Sequence, residues 1–201
     1  GRQAPPQRPA REAWAICGRR AGKSRIAALV AVFLAAFRSY GHVLAPGEKA
    51  TVMLIAADRK QARVLMRYVL GMLESIPMLR ALVISRTAES VELSNRVIIE
   101  IHTASFRSVR GYSIVAAVCD EIAFWRSEDS ANPDVEILHA IRPAMASVPG
   151  ALLLAISSPY ARRAPRDRPP GRRSPGRACS SGCSRRGRWR HGLRWRVRWG
   201  A

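Results

Sequence analysis

The chain has 201 residues, 48% of them hydrophobic, enough for one domain with a filled core. Its 34 lysines and arginines against 14 acids give a net charge of +20, which excludes an acidic solvating chain and points to a polyanionic partner, most often nucleic acid. The basicity is uneven: residues 161–201 hold 14 arginines, no lysine and one acid, Asp167, so +13 sits in the last fifth and +7 in residues 1–160.

In chain order, residues 13–17 (Ala-Trp-Ala-Ile-Cys) read as a short buried strand, and a Gly/Arg-rich turn follows at 18–22. Residues 24–38 are apolar nearly all round, which suits a helix buried against a sheet. A loop with Pro46 leads to a second apolar strand over 51–57. Asp58 is placed to cap a helix on which Ala62, Leu65, Met66, Val69, Leu70 and Leu73 recur at three- and four-residue steps. Two β-rich runs, 90–93 and 96–102, flank Ser94-Asn95 and predict a hairpin. The run 114–119 is continuously apolar and ends in Asp120-Glu121. Residues 134–146 are weakly helical and interrupted by Pro143; 151–156 form another apolar strand, ending at Ser157-Ser158-Pro159.

Strands without alternation, separated by helices, predict a mostly parallel sheet covered on both faces. Such sheets bind ligands at the carboxyl ends of their strands. Three of these strands end in polar clusters: 18–24, Asp120-Glu121 and Ser157-Ser158. The longest apolar run, 26–37, has twelve residues, short of the roughly 20 that a membrane span needs. With a polar, Pro-rich start, no secretory signal and four cysteines without a disulfide pattern, the expectation is a cytoplasmic protein with Cys17 and Cys119 as reduced core thiols.

Residues 17–24 (Cys-Gly-Arg-Arg-Ala-Gly-Lys-Ser) approach the phosphate-loop pattern G-x-x-x-x-G-K-[ST], which requires a strand before and a helix after. Inward-pointing backbone N–H groups of Gly18, Arg19, Arg20, Ala21 and Gly22 would wrap phosphate oxygens, Lys23 would reach the β- and γ-phosphates, and the Ser24 hydroxyl would ligate Mg²⁺. Cys17 stands where the pattern has its first glycine, and a plain turn with a solvated lysine is the competing reading. Asp120 at the tip of an apolar strand suits Mg²⁺, and Glu121 beside it suits a general base, against a strand boundary with solvated acids. Arg110, like Arg107 in the preceding loop, is a γ-phosphate-stabilising arginine or a solvated one. Ser157 and Ser158 would sense the γ-phosphate or serve turn chemistry.

Four segments, CGRRAGKS, SFRSVRGYS, IVAAVCDEIAFW and LLLAISSPY, stand in an order that resembles the ATPase domain of the large terminase subunit of tailed bacteriophages. The resemblance implies an α/β P-loop NTPase domain over 11–160. It implies ATP and Mg²⁺ as cofactors, with hydrolysis that drives double-stranded viral DNA into procapsids in the bacterial cytoplasm. Lys23 and Ser24 would bind phosphates and metal, Asp120 the metal, and Glu121 would activate water. Ser157 and Ser158 match the coupling motif, and Arg110 falls where the family places an arginine finger acting on a neighbouring subunit. Family members often lack the first loop glycine. The partners implied are the portal, the small terminase subunit and further copies in a ring. Gln3 and Gln7 match the family's adenine-contacting segment poorly. The family's nuclease half is not expected here, since only Asp167 follows Glu136 among the acids and a two-metal site cannot be built from it.

Residues 161–201 are expected to form a disordered, Arg-rich tail. They are read as an out-of-frame translation, as an arm that binds phosphates and stacks bases on Trp189, Trp195 and Trp199, or as a three-ligand zinc site of Cys179, Cys183 and His191. Two other functions stay open: a helicase-like DNA-dependent ATPase and a non-catalytic prophage remnant.

Overall fold

A computed structural model describes residues 9–104, 111–125, 133–159 and 196–200. In chain order the elements are β1 (Glu12–Ile16), α1 (Lys23–Phe37), β2 (Ala50–Ala56), α2 (Arg59–Ser75), α3 (Pro77–Arg80) and β3 (Val83–Arg86). They continue with β4 (Ser90–Leu93), β5 (Val97–Thr103), β6 (Ser113–Asp120), α4 (Pro133–Ala146), β7 (Leu152–Ser157) and β8 (Arg196–Gly200). One sheet holds all the strands in the order β3-β4-β5-β2-β6-β7-β1-β8.

The middle of the sheet, β5-β2-β6-β7-β1, is parallel throughout. Its two inner strands explain why: β2 is buried at every position and β6 at every position after Ser113, so both faces must be covered. The crossover from β1 to β2 and the one from β2 to β5 run towards the β3 edge, whereas that from β6 to β7 runs the other way. Right-handed connections then put α1 and α2 on one face and α4 on the other. In keeping with this, α1 packs on α2 and α4 on β6.

The hairpin read around Ser94-Asn95 forms, with Val91 opposite Ile99 in an antiparallel β4–β5 pair. Asp58 caps α2 by accepting the Gln61 N–H at 2.8 Å. Of the α2 stripe, Ala62, Leu65, Met66, Val69 and Leu73 are buried as their spacing predicts, and Leu70 is partly buried at its edge. Cys17 and Cys119 are both buried free thiols. Burial raises both thiol pKa values, that of Cys119 to about 12 with help from the Asp120 and Glu12 charges.

Three elements depart from the sequence reading. Helix α1 is not buried all round. It turns Ala27, Ala28, Ala31 and Ala35 inward, while Ile26, Leu29, Phe33 and Phe37 are about half exposed. Small side chains let the helix approach its neighbours closely; of the large ones Val32 and Leu34 are buried with them and those four face out. There Phe33 and Phe37 stack with ring centroids 5.8 Å apart. Helix α4 runs through Pro143 to Ala146, because Ile137, Leu138, Ile141 and Met145 are buried on both sides of it and hold the turns together. Within the tail, Arg196–Gly200 add an antiparallel edge strand to β1. Cys179, Cys183, His191, Trp189 and Trp195 lie outside the described residues.

Candidate functional site

The parallel register brings three polar strand ends level. Ile16 of β1 lies opposite Ser157 of β7, and Ile156 of β7 lies opposite Asp120 of β6. The Cys17 N–H donates to the Ser157 carbonyl at 3.0 Å and continues the ladder one residue past the strand. Strand β7 therefore separates the Gly/Arg loop from the acidic pair and carries Ser157-Ser158 between them.

The loop makes its turn with left-handed backbone at Arg20 (φ 60) and Gly22 (φ 77). Glycine adopts that conformation freely and arginine does not, so Arg20 is held under strain. Helix α1 begins at Lys23, and Ile26 N–H donates to Gly22 O at 3.1 Å. With its cap in the left-handed region, the helix offers unpaired N–H groups at its positive end.

Lys23 is only 7% exposed, so its ammonium needs partners. Its Nζ donates to Ser158 Oγ at 2.8 Å and to Gly18 O at 3.4 Å, and pairs with Glu121 Oε1 at 3.2 Å. Glu121 is held in the left-handed region as well (φ 49), just past β6, where a single 3₁₀ turn at Ile122–Phe124 follows. That turn is pinned twice. The Trp125 indole donates to the Asp120 carbonyl at 2.9 Å, and the Ala123 N–H donates to Ser157 Oγ at 3.3 Å. The bend aims the Glu121 carboxylate back at β7, where Oε2 accepts the Ser158 N–H at 2.6 Å and Oε1 accepts the Ser158 hydroxyl at 2.8 Å.

Burial opposes ionisation of Glu121, but the two Ser158 donors and Lys23 outweigh it and hold its carboxyl below the usual range. Asp120 goes the other way. Burial, and then the Glu121 charge, raise its pKa to about 6 despite Lys23. Asp120 is 4% exposed, and its Oδ1 has no hydrogen-bond partner. A buried carboxylate oxygen without a donor suits a cation. Among the described residues no cluster of three or more His, Cys, Asp or Glu is placed to hold a metal. A site at Asp120 would therefore take hydroxyl, water or phosphate oxygens as its other ligands, as Mg²⁺ accepts.

Residues 19–24, Arg25, Tyr68 and Glu121 line an open cleft of about 400 Å³. Of the residues singled out in the sequence, Arg19, Arg20, Ala21, Gly22, Lys23, Ser24 and Glu121 meet in this cleft. Gly18 joins through its carbonyl, Ser158 bonds both Lys23 and Glu121, and Ser157 props the turn beneath. Arg107 and Arg110 lie outside the described residues. The sequence reading missed Arg25, Tyr68 and Trp125. The available signal for Tyr68 was an aromatic beside Arg67, outside the apolar stripe of α2.

No family model matches the sequence, and neither does any curated protein. Solved structures do match. The large terminase of bacteriophage HK97 aligns at 21% identity with a TM-score of 0.56, over 74% of this chain and 29% of that one. The large-terminase ATPase domain of Thermus phage P74-26 aligns at 18% identity, over 78% of this chain and 63% of that one. Its TM-score is 0.57, and 0.58 for a point mutant. The chain thus spans less than two thirds of these proteins' lengths. At such identities the likeness is one of architecture: the chain has the P-loop fold, a mostly parallel sheet flanked by helices, of phage large-terminase ATPase domains.

Proposed function

We propose that this chain is a Mg²⁺-dependent ATPase unit of the terminase type, taking in residues 11–160, and that its hydrolysis serves translocation of double-stranded viral DNA. The observation that carries the reading is the convergence of Lys23, Glu121 and Ser158 at the ends of three adjacent parallel strands, on a cleft walled by arginines. A Gly-Lys-Ser turn opening a helix, with an acid-tipped strand two positions across the sheet, is the arrangement that phosphoryl transfer needs.

In this reading the loop N–H groups and Lys23 take the β- and γ-phosphates. Lys23 already pairs its charge with Glu121, so phosphate entry exchanges one anionic partner for another and leaves Glu121 Oε1 with the Ser158 hydroxyl alone. Ser158 then keeps the carboxylate in place through its N–H, and Glu121 positions and deprotonates the attacking water. Ser24 and Asp120 would hold Mg²⁺, which, when bound, neutralises charge on the phosphate oxygens. Ser157 and Ser158 would pass the state of Glu121 to β7, as a coupling element does. Arg110 would stabilise transition-state charge on a neighbouring copy in a ring. Portal, small subunit and host cytoplasm follow from the same reading. Among the described residues no helix is long and apolar enough to cross a membrane.

The test is ATP hydrolysis by the whole chain with Mg²⁺, alone, with double-stranded DNA, and with portal-bearing procapsids. Stimulation by procapsids supports the packaging role. Full stimulation by DNA alone supports a helicase-like DNA-dependent ATPase, and no turnover in any condition supports a non-catalytic remnant.

A further inference from the structure

We infer that Tyr68 is the base platform of the cleft: its ring stacks on the nucleobase of the nucleotide whose phosphates the 19–24 loop holds. The inference rests on the nucleotide reading above and deepens it, because the residues placed in the cleft so far account for the phosphates and not for the base.

The cleft is chemically lopsided. Arg19, Arg20, Lys23 and Arg25 supply cations against the carboxylate of Glu121, and Tyr68 is the one aromatic among its described lining residues. Tyr68 is 43% exposed, so it is not a core residue that merely shows an edge. The face of α2 that packs inward runs through Leu65, Met66, Val69 and Leu73, and Tyr68 stands off it beside the exposed Arg67. An aromatic ring held in the wall of an otherwise cationic cleft needs a partner that is anionic at one end and a flat π system at the other. A nucleoside triphosphate has that form. Its phosphates belong with the cations and its base with the ring, so one molecule answers both kinds of lining. Arg25 adds a planar guanidinium to the same cleft, a second group suited to a base face. Stacking reads a π face and not a hydrogen-bond pattern, so the site tolerates different bases.

The experiment compares equilibrium binding of ATP and of inorganic tripolyphosphate to the whole chain as wild type, Tyr68→Ala and Tyr68→Phe. Loss of one base-stacking contact predicts roughly tenfold weaker ATP binding by Tyr68→Ala. Tripolyphosphate binding stays unchanged, and Tyr68→Phe behaves as wild type. Equal ATP affinity in Tyr68→Ala and wild type would overturn the platform. So would a parallel loss for tripolyphosphate, which marks a structural role, or a failure of Tyr68→Phe to restore binding. A wild-type chain that binds neither ligand overturns the phosphate-loop reading itself and the platform with it.

Discussion

Replacing Ser158 with alanine removes one hydroxyl that joins two charged groups. Its Oγ accepts from Lys23 at 2.8 Å and donates to Glu121 at 2.8 Å, in a side chain 4% exposed. A hydrogen bond to a charged group contributes about 1.5–3 kcal/mol net when buried. Two features pull the loss to the low end. Glu121 is 22% exposed, and the Lys23–Glu121 pair at 3.2 Å survives the change, as does the Ser158 N–H bond to Oε2 at 2.6 Å. The expected destabilisation is therefore about 1–2 kcal/mol, a fall in melting temperature of roughly 3–6 °C for a domain of this size. In catalysis the carboxylate keeps one anchor and loses the other, so kcat falls about ten- to a hundredfold while KM stays within about threefold. Thermal melts of the ligand-free chain and steady-state ATP hydrolysis read the two effects. An unchanged melt together with an unchanged kcat would refute the claim that this hydroxyl organises the site.

Gly22→Ala forces a Cβ into φ 77 where no neighbouring atom lies within 4 Å, so the cost is backbone strain of about 1–2 kcal/mol; ATP affinity drops as the loop shifts, measured by calorimetry. Asp58→Ala removes the α2 cap and costs about 1 kcal/mol in urea denaturation, with kcat unaltered because the cap lies outside the cleft. Asp120 stays protonated to higher pH in the folded chain (about 6) than an ordinary aspartate, at 3.8. The folded state therefore binds more protons between those values, and stability falls as pH rises through that window, by about 3 kcal/mol at most. Glu121, whose carboxyl is held low, contributes stability in the opposite sense, present above pH 4.5 and lost on acidification. Comparing urea melts of wild type and Asp120→Asn between pH 4 and 7 isolates the Asp120 slope, which the variant should lack.

The sheet was legible because β2, β6 and β7 are apolar without alternation, the pattern of strands covered on both faces. The site was legible because polar clusters interrupt that pattern at three carboxyl ends. What periodicity could not give was the facing of α1. In a run of Ala, Val, Ile, Leu and Phe every face is apolar, and Ala27, Ala28, Ala31 and Ala35 win the interior through close packing, which hydropathy does not register. Strand β3 (Val83–Arg86) went unread because three of its four residues are exposed and it exists only by pairing with β4. The lock between Lys23 and Glu121 depends on a left-handed glutamate and on Trp125 holding the turn, both tertiary consequences with no local motif. Tyr68 reaches the cleft only because α2 packs on α1, so no window of sequence contains it and the loop together.

The central claim is that Lys23 grips a triphosphate that Glu121 helps to hydrolyse. Single-turnover measurements with radiolabelled ATP on wild type, Lys23→Ala and Glu121→Gln test it in one experiment by following binding and cleavage separately. The account predicts that Lys23→Ala neither retains ATP nor cleaves it, and that Glu121→Gln retains ATP and leaves it intact. Cleavage by either variant at the wild-type rate would contradict it.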